Sequence, residues 1–442
     1  MTVRIRFSVP ASAGLSLIEA RTALYSWLLA RHEGGALVLS VADLVGDEGS
    51  SAPLVSHGQA ACDELRWLGL DWDEGPRLQP ARINAYRERA RQFARAGAAP
   101  EAELLTAEGG PVPLLAAVAD DHVLGITHVV QAQGQRPAEP AYRCLAEALG
   151  WIPPTFVYLP ALSFDDISAR PASLRACREQ GYLGLAVAND LARMGWTPRG
   201  KRQLLSLAQL AARFDPARLA HSAVTPVPGQ LGWFNRRCLN GLDLAERARL
   251  MADWWEQAYG RADRAEGTEL APEAWQRLLA ETISSEVCAL SEVPGKVRFA
   301  FVDPVDLDGE AVEILSHSYA PQVLAAFAGR VSRLDPFTYE AIDAAISAVR
   351  WEFKAALGIR SRDVLHVIRA ALAGRVDAPC VVAVCQLLGR GRCLERAQQV
   401  QQRAQQGQQW AQQAQVRVQQ TQQQAPRDED LAGEGERGWP VP

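Results

Sequence analysis

The side chains of this 442-residue chain that could do covalent or metal chemistry are few and poorly spaced for it. Its eight cysteines, Cys62, Cys144, Cys177, Cys238, Cys288, Cys380, Cys385 and Cys393, include no Cys-x-x-Cys pair. Reduced, mostly buried thiols are therefore expected rather than a zinc site or a disulfide framework. The histidines, His32, His57, His122, His128, His221, His317 and His366, have no ligand spacing, so no metal is expected. Of 46 basic residues only Lys201, Lys296 and Lys354 are lysines. Chemistry that requires a compact ammonium has three places to find it, because the planar guanidinium does not replace one.

The elements that must carry these residues fall into two styles. Val3, Ile5 and Phe7 alternate as a strand does, a turn runs over 10–14, and an apolar helix follows over about 18–29. After the Gly34-Gly35 break, 36–41 reads as a second strand, and further strands are expected at 114–118 and 127–130. Strand, helix and strand with short joins make a parallel, nucleotide-binding type of sheet, so the first 170 residues read as α/β. From about Gly181 onward the pattern is helical. Val323, Leu324, Phe327, Val331 and Leu334 share one face, as do Val364, Leu365, Ile368 and Leu372. Asp215-Pro216 and Asp335-Pro336 read as helix starts. Beyond Ala397 glutamine dominates, and 398–442 reads as a tail, transiently helical up to Gln424. The chain carries a formal charge of −5 with 48% hydrophobic and 22% charged residues, a globular balance with more than one core. No apolar run approaches eighteen residues and residues 1–9 lack a signal-peptide core, so no membrane span and a cytoplasmic location are expected.

Several blocks, in order along the chain, resemble the glutamyl-tRNA synthetase family, class I enzymes that use ATP to join glutamate to tRNA. They are Ala20-Arg21-Thr22-Ala23-Leu24 with Trp27, then 67–76 (WLGLDWDEGP), Ile126-Thr127-His128-Val129-Val130, Gly181-Tyr182-Leu183 and Leu191-Ala192-Arg193-Met194-Gly195-Trp196. Arg369-Ala370-Ala371-Leu372-Ala373-Gly374-Arg375 and Leu387-Leu388-Gly389 are similar to that family's anticodon-binding helices. The resemblance spans roughly residues 3–396. It implies a Rossmann-type catalytic-like domain over 1–180, a helical stem-contact region over 181–300 and an anticodon-binding helical domain over 301–397, with the Gln-rich tail over 398–442 lying beyond it.

At the positions that the resemblance makes chemical, the residues depart from the family. Its first ATP signature, His-x-Gly-Gly, aligns with Ser16-Leu17-Ile18-Glu19. A carboxylate at that helix start satisfies the helix dipole and repels phosphate. The second signature, Lys-Leu-Ser-Lys-Arg, aligns with Asp166-Ile167-Ser168-Ala169-Arg170, which keeps no lysine. Arg6 aligns with an arginine that holds the amino acid's carboxylate. Around it the acidic run has become residues 40–45 with only Asp43 left, the Tyr-Asn pair has become Pro113 and Leu114, and Arg-Gly-Glu-Asp-His has become Gln131-Ala132-Gln133-Gly134-Gln135. On its own Arg6 reads as a structural or solvated residue. The acceptor-gripping insertion, often zinc-bearing, is replaced by about a dozen residues, 99–110.

Two classes of function follow. The framework implies a glutamate–tRNA ligase, with ATP and Mg2+ as its cofactors if the signatures still work. The replaced residues imply a catalytically degenerate paralogue that needs no cofactor and persists as a tRNA-binding module or as a scaffold for an unidentified protein partner. From Arg350 to Arg396 nine basic residues stand against Glu352, Asp363, Asp377 and Glu395. Arg360, Arg362, Arg369, Arg375, Arg390 and Arg392 are the candidate tRNA contacts there. Trp254, Trp255 and Trp410 read as packing or tail residues.

Overall fold

The computed structural model describes residues 2–424 except 11–13, 43–50, 80–81, 108, 164–170, 200–202, 261–265, 304 and 378. The chain divides into two compact units, Met1–Asp243 with Glu286–Glu292, and Leu244–Ser285 with Val293–Pro442.

The first unit is built on five parallel strands, β1 (Arg4–Pro10), β2 (Ala36–Ala42), β3 (Glu74–Leu78), β4 (His128–Ala132) and β5 (Thr155–Leu159), in the order β3-β2-β1-β4-β5. Residues two apart on a strand share a face. Ile5, Phe7 and Val9 therefore lie in one core with Ala20, Leu24 and Leu28 of helix α1 (Leu17–His32), and with Ala61 and Leu65 of α2 (Ser51–Trp67). Arg4, Arg6 and Ser8 occupy the opposite face. A second core lies among α3 (Ile83–Arg95), α4 (Pro113–Leu124) and α5 (Glu139–Ala148), joining Tyr86, Phe93, Leu115, Val118, Tyr142 and Leu145. The strand order reverses between β1 and β4, the place where open parallel sheets bind ligands.

Three expectations are corrected. Residues 114–118 are not a strand but the start of α4. The apolar run is alanine-rich, Pro113 supplies the first turn and Gly125, at φ 62°, closes the end, which together select helix over strand. Strands β3 and β5 add to those read from sequence. The edge strand β3 is mostly exposed and tolerates Pro76, while Gly75 is required at φ 101°, where a Cβ would meet Leu39 O. Asp335-Pro336 does not open a helix: Thr338 does, its Oγ1 accepting from Ala341 N ahead of Tyr339–Leu357. Asp215, by contrast, does cap the short turn Pro216–Arg218, accepting from Ala217 N at 3.0 Å.

The second unit is helical throughout its described residues, including Leu244–Tyr259, Pro272–Ile283, Val293–Phe301, Ala320–Val331, Tyr339–Leu357, Ser361–Ala373 and Val381–Gln424. Val323, Leu324, Phe327 and Val331 are fully buried, as are Val364, Ile368 and Leu372. Trp255 is buried, and the Trp410 side chain lies outside the described residues. The last helix is broken at Gly389 (φ 74°), where a Cβ would meet Gly267 O. Packing continues past the change in composition at 398, since Ala397 and Val400 are both buried, and the backbone stays helical to Gln424.

One side chain ties these helices together. Arg396 is 2% exposed. It donates to Asp303 Oδ1 at 2.6 Å, to Phe299 O at 2.7 Å, to Val302 O at 2.9 Å and to Leu372 O. Arg392 donates to Asp303 Oδ2 at 2.8 Å. Burial alone would raise the Asp303 carboxyl, but the two arginines hold it below the usual carboxylate range. Its stabilisation is thus present above the unfolded value of about 4 and lost as pH falls below it. Removing Arg396 leaves the Phe299, Val302 and Leu372 carbonyls without its donors, whereas Asp303, 43% exposed, keeps Arg392. Arg396→Ala is expected to lower unfolding stability by about 3 kcal/mol, chiefly through those three carbonyl hydrogen bonds. Chemical denaturation of the variant measures this, and a loss within experimental error contradicts it.

Candidate functional site

The N-terminus of α1 closes on itself. Ser16, the N-cap, accepts from Glu19 N at 3.2 Å, and Glu19 Oε2 accepts from Ser16 N at 2.8 Å and from Ser16 Oγ at 2.7 Å, a complete capping box. Leu17 N donates to Ala172 O at 3.4 Å and Ala20 N to Ser16 O at 2.9 Å. Leu174 N donates back to Leu15 O at 3.0 Å, so residues 172–174 run alongside the helix start. Leu15 N donates to Glu64 Oε2 at 2.7 Å, and burial raises that carboxyl. The donors that make a helix terminus an anion site are thus largely taken by the chain itself, with two carboxylates beside them. Ile18 is half exposed, so its side chain stands where a glycine would leave room.

At the reversal point of the sheet lies a cavity of about 740 Å³, bordered by Arg6 and Ser8 of β1, Gln131 of β4, Leu114 of α4, Tyr142 of α5 and Phe156 of β5. Arg6 is not solvated. Its Nε donates to Asp121 Oδ1 at 2.6 Å, and another nitrogen donates to Ser8 Oγ, itself 2.8 Å from Ser40 Oγ. Tyr142 OH donates to the other Asp121 oxygen at 2.8 Å. Burial alone would lower the Arg6 pKa, but Asp121 outweighs it and keeps the guanidinium charged. Burial and then Asp121 push the Tyr142 phenol up, so it stays a donor. The neighbouring Asp120 is held separately, accepting from Gln79 Nε2 at 2.8 Å, Arg82 at 2.5 Å and Tyr86 OH at 2.9 Å. Both aspartates are 2% exposed. Sequence reading missed them, although two consecutive acids ending an apolar run are a signal for buried, paired carboxylates.

The six arginines proposed for nucleic acid differ in exposure and in the partners that already hold them. Arg360 and Arg362 are exposed at the start of helix Ser361–Ala373, with Asp363 2.8 Å and 4.0 Å away. Arg369 is half-buried on the same helix. Arg375 is 19% exposed, 3.6 Å from Asp377. Arg390 lies 3.7 Å from Glu269 and over the Phe337 ring. Arg392 is held by Asp303 and Ala300 O. Residues 166–170, the second signature with Asp166, Ile167, Ser168, Ala169 and Arg170, lie outside the described residues, as does Asp43. Among the described residues no cluster of three His, Cys, Asp or Glu could hold a metal ion, and no helix is long and apolar enough to cross a membrane.

The family model for the catalytic domain of class I tRNA synthetases of the E and Q type matches residues 2–108 and 100–233, and the anticodon binding domain model matches 243–401. The chain belongs to the glutamyl-tRNA synthetase family. Glutamate–tRNA ligase 1 of Rubrobacter xylanophilus is 30% identical over 91% of this chain and 98% of its own length. The glutamate–tRNA ligase of Geobacillus stearothermophilus is 27% identical over 90% and 99%. A crystal structure of a glutamate–tRNA ligase from Elizabethkingia meningosepticum, 18% identical, superposes with a TM-score of 0.73 over 91% of this chain and 99% of that one, which supports the fold.

Within this synthetase-family chain the two pieces of the catalytic match meet at 100–108, inside the short join between α3 and α4. There Glu101–Leu104 makes one helical turn and Leu105 pairs with Pro111. Ser16→Ala and Glu19→Ala are each expected to lower stability by about 1 kcal/mol, the double variant by less than their sum, because both act in one cap. Urea melts of the three variants check this; strict additivity or no loss contradicts the reciprocal cap.

Proposed function

We propose that the protein is a tRNA-binding paralogue of glutamyl-tRNA synthetase that does not activate glutamate with ATP. The observation that carries the reading is the closed N-terminus of α1. A triphosphate docking there would have to displace the Ser16–Glu19 cap and approach the Glu19 and Glu64 carboxylates. The residues present therefore do not fit ATP at that helix start, and no step is routed through it. The amino-acid side agrees: Arg6, the residue aligned to a carboxylate clamp, already shares its charge with Asp121. Gln131 and Leu114 on the cavity wall offer no charge for an incoming carboxylate.

The anticodon-binding match over 243–401 supports retention of tRNA. Arg360 and Arg362, with side chains 73% and 70% exposed, are best placed to meet phosphate. Arg392 supports the fold instead. A cytoplasmic setting, where tRNA is found, accompanies this reading. The names of the relatives favour a working ligase with divergent signatures as the second reading.

The test pairs two assays on the full chain. Glutamate-dependent ATP–pyrophosphate exchange is expected at background, since loss of one transition-state stabiliser alone slows such a step by about a hundredfold. Fluorescence titration with tRNA is expected to show binding whose log–log salt slope falls by about 0.7–0.9 per lost phosphate contact. Arg360→Glu with Arg362→Glu should weaken it, whereas Ser16→Ala should not. Robust exchange supports the second reading; no tRNA binding at low salt, or binding unaffected by the double reversal, favours a protein-interaction scaffold.

A further inference from the structure

The last helix ends in a sequence repeat. From Ala397 to Gln424 the chain divides into four units of seven, AQQVQQR, AQQGQQW, AQQAQVR and VQQTQQQ. Lettered as a heptad, the a positions are Ala397, Ala404, Ala411 and Val418, and the d positions are Val400, Gly407, Ala414 and Thr421. Positions b, c and e are glutamine in every unit. The backbone is helical through Gln424, the last residue of the fourth unit, so repeat and helix stop together.

The start of the repeat shows which side of it packs. Counted in the same register, Cys393 is a d position, and Cys393, Ala397 and Val400 are 0%, 0% and 5% exposed. Arg396, the g position flanking that seam, is buried with it. Gln398, Gln399, Gln402 and Arg403, at b, c, f and g, are exposed. The a and d positions are therefore the packing seam over 393–400, and the repeat carries the same seam on for three more units.

A strict period of seven keeps a seam on one side only when the helix winds around a partner of the same period. A glutamine-rich helix interrupted by Gly407 gains little from its own propensity, so its order must come from burying that seam. The next longest helix among the described residues, Tyr339–Leu357, already buries its stripe of Ile342, Ile346, Val349 and Phe353. A second copy of the segment matches it in length, period and chemistry. Charge selects the orientation. The segment from Ala397 to Gln424 carries Arg403 and Arg417, both at g, and no acid. In a parallel pair the g residues meet the glutamines at Gln408 and Gln422, the e positions, whereas an antiparallel pair sets Arg403 beside Arg417.

We infer that residues 404–424 are a homodimerisation segment, which two copies of this chain pair in parallel and in register as a two-stranded coiled coil. Alanine and glycine at the core positions bring the axes to about 8 Å, the close end of helix packing. They bury little apolar area, which makes the dimer weak and dependent on concentration. The inference is independent of the proposed function, since the pairing needs neither tRNA nor ATP.

Analytical ultracentrifugation of the full chain over a concentration series tests it, and a monomer–dimer equilibrium is expected. Ala411→Glu with Val418→Glu puts charges into the seam and is expected to weaken dimerisation at least about tenfold. Gln412→Glu with Gln419→Glu puts the same charges at b positions and is expected to change it by less than about twofold. Thermal melts establish that the body is folded in each variant. Mild oxidation of a Thr421→Cys variant is expected to join the two introduced thiols to each other, as located by peptide mapping. A monomer at every concentration, an oligomer other than a dimer, or a dimer that survives the a-position pair overturns the inference. So does equal weakening by the two pairs, or absence of the link at position 421.

Discussion

The pair between Arg6 and Asp121 sits at the reversal point of the sheet with side chains 9% and 2% exposed. A charge so placed must bring its counter-charge with it, because separating them in low dielectric leaves each strongly unfavourable. The helix α4 supplies that counter-charge, and Tyr142 from α5 and Ser8 from β1 complete the bonding. Two layers are thereby fixed on β1. Its Arg6 face is tied to α4 and α5, while Ile5, Phe7 and Val9 are committed to α1.

The same logic of internal satisfaction governs the start of α1. A helix terminus with open N–H groups attracts anions; one with a capping box, a backbone partner and a nearby carboxylate has little left to give. With Ser16 and Glu19 at these positions the start of α1 is a reciprocally capped helix terminus. Fold and family are shared over about nine-tenths of the chain, and a shared fold does not by itself fix the chemistry at its ligand positions.

Much of this was legible in the sequence. The alternation in β1 and the apolar periodicity of α1 located the sheet, and Ser16 with Glu19 is the sequence form of the capping box itself. Residues 114–118 were misread because a short apolar run has no period of its own; Pro113 and Gly125 at its ends held the answer. The partner of Arg6 was not legible, since Asp121 lies 115 residues away and only the parallel sheet brings them together. For the same reason Arg392 reads as a surface cation in sequence and proves to be bound to Asp303, 89 residues distant.

The central claim, that the chain has closed its own nucleotide-binding end, is tested most directly by equilibrium titration of the purified protein with Mg-ATP, followed by calorimetry. The account predicts no saturable binding up to about 1 mM, an interaction weaker than about 4 kcal/mol. Saturable binding in the micromolar range, about 8 kcal/mol, that is lost when residues at the start of α1 are altered would contradict it.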